Sequence, residues 1–473
     1  MKKLTFGVLL CVVLVCCTFF AASAEQVSGS YAYTLLDDGT AQIVRYTGEE
    51  AELAIPDKLD GIAVTAIGPS AFHKNDTLQT VRIPEGVVSL GDFAFQRCSG
   101  LTGASLPASL TEVGLNPFAG CGALAAVEVA SGNPALETEN GQVLYSTGDN
   151  RLVWYSMLKD RGAYTVREGT RIIGASAFYE CENLTGLTVR DSVTAIGRRA
   201  FFFCTGLKAV NLQDTEISTV GADAFCGCTR LEHIAFPEEM TSIAERAFED
   251  CTSLSGLILP ETITSIGEMA FRNCSGLRTV RLPEGLTSIG KNTFAGCREL
   301  EEMILPEDLS YIGGGAFQNC ESLRRLELPD AVDYIGSNAF DGCTGLQEIL
   351  IPDTCSHIGA NAFSRCQSLE SVTLPSYVYV IYPMTFSGCT SLKEIELPED
   401  LEEIGEKAFF CCYSLKEIVI PDPVEIIGDS AFYNCVALEH VELPEELDSV
   451  GPRTFEHCVR LTDLPDLRDL IGE

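Results

Sequence analysis

With 473 residues, 46% of them hydrophobic, the chain carries enough apolar material for a large core, which excludes wholesale disorder. Asp and Glu number 67 against 32 Lys and Arg, a formal net charge of −35, and a surface of that sign repels phosphate backbones and anionic headgroups, so nucleic acid is not an expected partner. The 21 Cys beside a single Trp would suit a disulfide or zinc protein, and only their spacing decides otherwise.

Residues 1–24 read as a secretory signal peptide. Lys2 and Lys3 form a positive start, Leu4 to Phe20 an apolar stretch, and Ala22-Ser23-Ala24 a small-residue cleavage site before Glu25. The apolar run is short for a spanning helix. Cys16 and Cys17 raise a lipoprotein alternative, but Val15 stands where a small residue is expected. No later segment reaches 18 consecutive apolar residues, so no membrane insertion is expected after cleavage.

From Asn75 onward the chain repeats itself. Cys228, Cys251, Cys274, Cys297, Cys320, Cys343, Cys366, Cys389, Cys412, Cys435 and Cys458 are each 23 residues apart, and Cys98–Cys121 and Cys181–Cys204 keep the same step. Sixteen repeats result, fifteen with Cys and the first with Asn75. A Phe stands three before each of these positions, from Phe72 to Phe455, an Ile-Gly pair such as Ile289-Gly290 precedes it in many repeats, and Leu-Pro follows in most, as at Leu259-Pro260. In the unit CTSLKEIELPEDLEEIGEKAF (389–409), Leu392, Ile395, Leu397, Leu401, Ile404 and Phe409 are expected to point inward. Ile395 and Leu397 alternate with Glu394 and Glu396, the two-residue period of a strand with one buried face. Pro398 ends that strand for want of a donor, and the Gly of the Ile-Gly pair is expected to make a turn. A unit of 23 residues cannot bury such a set alone, so successive units must stack. The expected fold is a repeat solenoid of the leucine-rich-repeat kind, mostly β, with a parallel sheet on one face and 16 repeats of about 23 residues.

The pattern LxxIxLPxxLxxIGxxAFxxC closely resembles the BspA-like leucine-rich repeats of bacterial surface and secreted proteins. Tyr31 to Ile62 is similar to that family's N-terminal hairpin cap, and Gly132 to Val166 resembles its hairpin insertion, which accounts for the 60-residue gap between Cys121 and Cys181. The resulting division is 1–24 signal peptide, 25–62 N-terminal β-hairpin cap, 63–131 repeats, 132–166 β-hairpin insertion and 167–473 repeats with a truncated C-terminal unit. The resemblance implies adhesion to host proteins or to other cells.

The Cys ladder is expected to be reduced and buried. One Cys per turn at equivalent places would give side chains running parallel, which fits disulfide geometry poorly, and zinc needs clustered ligands; a small apolar filler fits better. No catalytic constellation appears. His73, His233, His357, His440 and His457 have no ligand-like spacing, and phosphate-loop, nucleophile-elbow and zinc-protease motifs are missing. The protein is therefore expected to be a non-catalytic binding protein without a cofactor, its partner a protein or a cell-surface glycan. A structural envelope or matrix role is the alternative, and a carbohydrate-active enzyme a weaker one.

Three features bear on binding. After the Pro, nine of ten successive repeats carry an acid, from Glu238, Glu261 and Glu284 to Glu445; this column suits a solvated edge, with weak calcium association as an alternative. The outward strand positions vary, and on them Arg281, Ile304 and Arg325 are candidate partner-binding residues beside an apolar stripe of Ile258, Ile304 and Leu350. One unit, SYVYVIYPMTF, replaces the Gly by Tyr382-Pro383 and adds Tyr377 and Tyr379; these tyrosines form a second candidate patch, since Tyr offers apolar area with a polar tip.

Overall fold

The computed structural model describes residues 24–159 and 161–462. Apart from Ala24, the signal-peptide reading, with Cys16 and Cys17, lies outside the described residues, as does the end of the truncated C-terminal unit. Among the described residues every regular element is a strand.

The sequence pattern of one unit explains its path. In Glu394–Glu396 the outer two residues are exposed and Ile395 is buried, Leu401 is buried after the Pro398 turn, and Ile404 and Phe409 close the ring of inward side chains. The unit's backbone then pairs in parallel with its neighbours at a register of 23 residues, Val372 opposite Ile395. A second ladder of two-residue strands runs down another face, Ile404 opposite Ile427. Its short strands offer no alternation to read, so the sequence had shown only the first sheet. The coils form a β-solenoid of about 18 turns. Two turns beyond the sixteen motif repeats are degenerate ones, with Tyr46 and Tyr155 in the Phe slot: Tyr46 packs 5.0 Å from Phe72 and Tyr155 4.7 Å from Phe178.

The Phe column forms the spine of the core. Phe225, Phe248, Phe271 and Phe294 stack 5.2–5.6 Å apart with rings within 5° of parallel. The Cys column lies beside it, and each thiol does more than fill space. Cys251 donates to the Phe225 carbonyl of the preceding turn at 3.2 Å, Cys343 to Phe317 at 3.1 Å and Cys435 to Phe409 at 3.2 Å. The same Phe225 carbonyl accepts the Cys228 N–H at 3.1 Å, so both of its lone pairs are used inside the core. All 18 described Cys are free thiols, and burial pushes those of Cys297, Cys343 and Cys389 up to about 12.

The Gly of the Ile-Gly pair is required for a different reason from a turn. A Cβ at Gly267 would lie 2.4 Å from the Glu245 nitrogen, and one at Gly336 2.5 Å from the Gly314 nitrogen. Backbone meets backbone at these two turns, whereas the column is looser at Gly290, where the nearest atom to an added Cβ is 3.4 Å away, and Ala244 occupies it with the ladder intact. The left-handed turn positions fall elsewhere, at residues such as Asn273, Asn319 and Asn434 (φ 58–62°), where Asn is tolerated. Tyr382, occupying the Gly position, coincides with a break: Val380–Ile381 does not pair with His357–Ile358, although the ladder is continuous on either side.

The strands Leu136–Glu139, Val143–Ser146 and Arg151–Tyr155 form an antiparallel meander that acts as a partition. Leu144, Val153 and Trp154 belong to a core reaching back to Tyr33, whereas Val143, Tyr145, Leu152 and Tyr155 belong to a core continuing to Cys458. Trp154 meets Phe118 edge-on at 6.2 Å and the next residue, Tyr155, meets Phe178. Arg151 crosses the boundary by donating to the Gly114 and Val113 carbonyls at 3.1 and 2.7 Å.

Candidate interaction face

Because inward positions are fixed by packing, only outward strand residues have chemical freedom. On the three-residue sheet Arg281 stands opposite both Ile258 and Ile304, and Arg325 opposite Glu348. Arg281, Ile304 and Arg325 are thus on one face and solvent-exposed. Both arginines already have acidic neighbours: Arg281 lies 3.7 Å from Glu261 and 3.9 Å from Glu284, and Arg325 3.3 Å from Glu327 and 3.4 Å from Glu348. These exposed pairs are worth little in stability, under about 1 kcal/mol each, which leaves the guanidinium groups free to exchange partners.

The apolar stripe is present but interrupted. Ile258, Ile304 and Leu350 are 88%, 58% and 68% exposed, and every second strand carries Arg281 or Glu327 between them. Ile258 rims a depression of about 960 Å³ floored by Ala235 and Gly256, and Ile304 one of about 870 Å³ shared with Arg325. Both lie where the sheet ladder is broken, between His233–Ala235 and Gly256–Ile258 and between Glu302–Ile304 and Arg325–Glu327. Leu350 lines a third, smaller depression of about 480 Å³ with Ser371 and Thr373.

The tyrosines of 377–382 do not form one cluster of touching rings. Tyr377 and Tyr379 are exposed on the turn and the strand approach, while Tyr382 joins a ladder on the second sheet that the sequence reading missed. Tyr311 and Tyr334 stack at 4.9 Å, Tyr334 and His357 at 4.5 Å, and Tyr382 tilts against His357 at 5.1 Å. The 23-residue spacing of Tyr311, Tyr334 and His357 was the signal; Tyr382 falls two residues out of phase. Partial burial between these rings lowers the His357 pKa. Stacked faces cover one another, so the ladder offers solvent mainly ring edges.

The third feature, the acidic column, follows the edge of the sheet. Glu261 accepts the Glu284 N–H at 3.1 Å, so at least one of its carboxylates is used to hold the next turn. Among the described residues no group of three or more His, Cys, Asp or Glu is arranged to hold a metal ion, and no helix is long and apolar enough to cross a membrane.

Parallel strands stacked at a 23-residue register, with a Leu/Ile/Phe interior and a Cys ladder, define a leucine-rich-repeat solenoid. The family model of the BspA type leucine rich repeat region, in 6 copies, matches residues 53–141, 170–281, 241–370 and 356–467, and the chain belongs to that family. Among solved structures it is similar to a leucine rich cell surface protein from Faecalibacterium prausnitzii (25% identity, covering 89% of this chain and 95% of that one, TM-score 0.41). It is similar also to leucine-rich repeat proteins from Bacteroides ovatus (24%, 92% and 93%, TM-score 0.43) and Eubacterium ventriosum (20%, 63% and 95%, TM-score 0.48). No curated protein matches.

Proposed function

We propose that the protein is an exported, non-catalytic binding protein of the cell surface or its surroundings, which engages a protein or a surface glycan through the three-residue sheet. The observation that carries this reading is the division of labour along each strand. Residues such as Leu257, Val280 and Met303 are buried while their neighbours Ile258, Arg281 and Ile304 vary and project into solvent. A large exposed Ile does nothing for the core, and a row of such residues with interspersed Arg supplies the anchors that interfaces use. Repeat solenoids commonly bind on such extended faces. The signal-like start Lys2-Lys3 with Ala22-Ser23-Ala24 supports export. The acidic column favours cationic partners and, weakly, calcium.

The test is direct binding of the chain from Glu25 to an array of extracellular-matrix proteins and surface polysaccharides. Alanine at Arg281, Ile304 and Arg325 together is expected to weaken the captured partner at least tenfold with the melting temperature nearly unchanged. Alanine at Tyr377, Tyr379 and Tyr382 probes the second patch. Affinity intact in both variants would place binding elsewhere and overturn the reading.

A further inference from the structure

The second sheet carries a strip whose chemistry departs from the rest of the surface. On its five strands from Thr219–Val220 to Tyr311–Ile312, the first residue and the one before it are Ser or Thr everywhere except at Tyr311. None of these positions is charged, in a chain whose net charge is −35.

Within this strip the ladder is interrupted between Ser265–Ile266 and Ser288–Ile289. On either side the Gly N–H donates to the Ile carbonyl one turn back, Gly267 to Ile243 and Gly313 to Ile289, each at 2.8 Å. The Thr264 and Ser310 N–H groups donate likewise to Thr241 and Thr287, each at 3.0 Å. At the interruption the corresponding N–H groups of Thr287 and Gly290, and the carbonyls of Thr264 and Ile266, have no such partner among the described residues. The same two turns remain paired on the three-residue sheet, Leu257 opposite Val280, so the interruption is confined to this face. The hydroxyls of Thr264, Ser265, Thr287 and Ser288 are exposed and also without a protein partner among the described residues.

The aromatic stack begins beside this gap. Tyr311 stands opposite Ser288 on one side and Tyr334 on the other, and its one ring neighbour is Tyr334, at 4.9 Å. No ring covers the face turned towards Ser288. Tyr311 is accordingly 42% exposed, whereas Tyr334 and His357 are half-buried within the stack.

We propose that this corner is a binding site for a neutral glycan, with one pyranose ring laid against the open face of Tyr311. An apolar side chain placed there would strand unpaired N–H and C=O groups away from water, which is costly. Anionic ligands are repelled by Glu261 and Glu284, three residues before Thr264 and Thr287. A pyranose meets both demands: its C–H hydrogens suit the negative face of an aromatic ring, and each of its hydroxyls can donate and accept. The site lies on a different face from Arg281, Ile304 and Arg325 and is independent of the reading given for them.

The experiment is calorimetric titration of the chain from Glu25 with neutral hexasaccharides of β-linked glucose, mannose and N-acetylglucosamine. A hexagalacturonate and an uncharged Gly-Tyr-Ser repeat peptide serve as comparators. At least one neutral hexasaccharide is expected to bind, with an affinity that salt leaves nearly unchanged because no charge is screened. Tyr311→Ser should weaken it at least tenfold and Ser288→Val at least threefold, while Tyr311→Phe, which keeps the ring, should retain most of the affinity. The melting temperature should stay the same in all three variants, since both side chains are exposed. Failure of all three neutral sugars to bind, indifference to Tyr311→Ser, or tighter binding of the hexagalacturonate or the peptide overturns the inference. Sugar binding that survives Tyr311→Ser but is lost with alanine at Arg281, Ile304 and Arg325 overturns this site and leaves the three-residue-sheet reading standing.

Discussion

A thiol repeated in the same place on turn after turn acquires a chemistry that isolated Cys lack. In this protein the Sγ–H reaches the carbonyl of the Phe one turn back, so Cys is favoured over Ala by a weak donor and over Ser by its apolar bulk. Buried thiols of this kind are inert, because the thiolate is the reactive form. Native protein treated with a thiol reagent should therefore react first at Cys411, the one described Cys that is only half-buried, while denatured, unreduced protein should release 18 free thiols from these positions. A count near zero would mean that the ladder is oxidised. The same burial makes stability depend on pH. Cys297, Cys343 and Cys389 titrate at about 12 in the folded chain and at about 8.5 when unfolded. Their contribution is complete below about pH 8.5 and is lost progressively between there and about 12, since only the unfolded chain gives up the protons. Each such thiol costs up to about 1.4 kcal/mol of stability per pH unit in that window. Urea midpoints measured at pH 8 and pH 10 should fall at the higher pH, and by less in Cys297→Ala.

At the scale of the turn, what separates neighbouring coils is the Gly column. Gly336 has an ordinary backbone conformation, yet a Cβ there would lie 2.5 Å from the Gly314 nitrogen and 2.9 Å from the Gly313 carbonyl carbon. Gly336→Ala should cost roughly 1–3 kcal/mol by overpacking and slow no turn formation, a loss visible as a lower urea midpoint; an unchanged midpoint would show that the coils can separate freely. Tyr382 stands in the same column beside a break in the ladder, but another break, between Ser265–Ile266 and Ser288–Ile289, falls where both Gly267 and Gly290 are kept. These observations explain which parts were legible in advance. Phe, Cys and Leu-Pro columns are read easily because packing admits few residue types per slot. Tyr46 and Tyr155 escaped because they fill the Phe slot in turns that lack the other landmarks. The second ladder escaped because an exposed residue followed by Ile, as in Tyr311–Ile312, is too short to show a period. The candidate residues Arg281, Ile304 and Arg325 could be placed on a face from alternation alone. Their ion pairs and the depressions beside them depend on coil spacing, which no residue type encodes.

Taken as a whole, the molecule is two stacks joined through a shared partition. A solenoid gains stability from contacts between adjacent turns, and the meander of residues 136–155 interrupts that chain of contacts with side chains divided between the two cores. Unfolding should follow this division. Hydrogen exchange is expected to protect strands of 80–129 as one set and strands of 184–450 as another, with separate denaturant midpoints. Trp154→Ala, which removes a ring from the smaller core, should lower the first set by roughly 3–5 kcal/mol and disturb the second far less. A single midpoint shared by every strand would mean that the partition transmits stability rather than dividing it. The placement of the chain's only tryptophan adds an optical consequence. Its indole is buried on the side of Phe118, whereas Tyr145, Tyr155 and Tyr164 lie in the other core. Indole emission from the unlabelled protein therefore follows the smaller stack, and the phenol absorption of those three residues follows the larger.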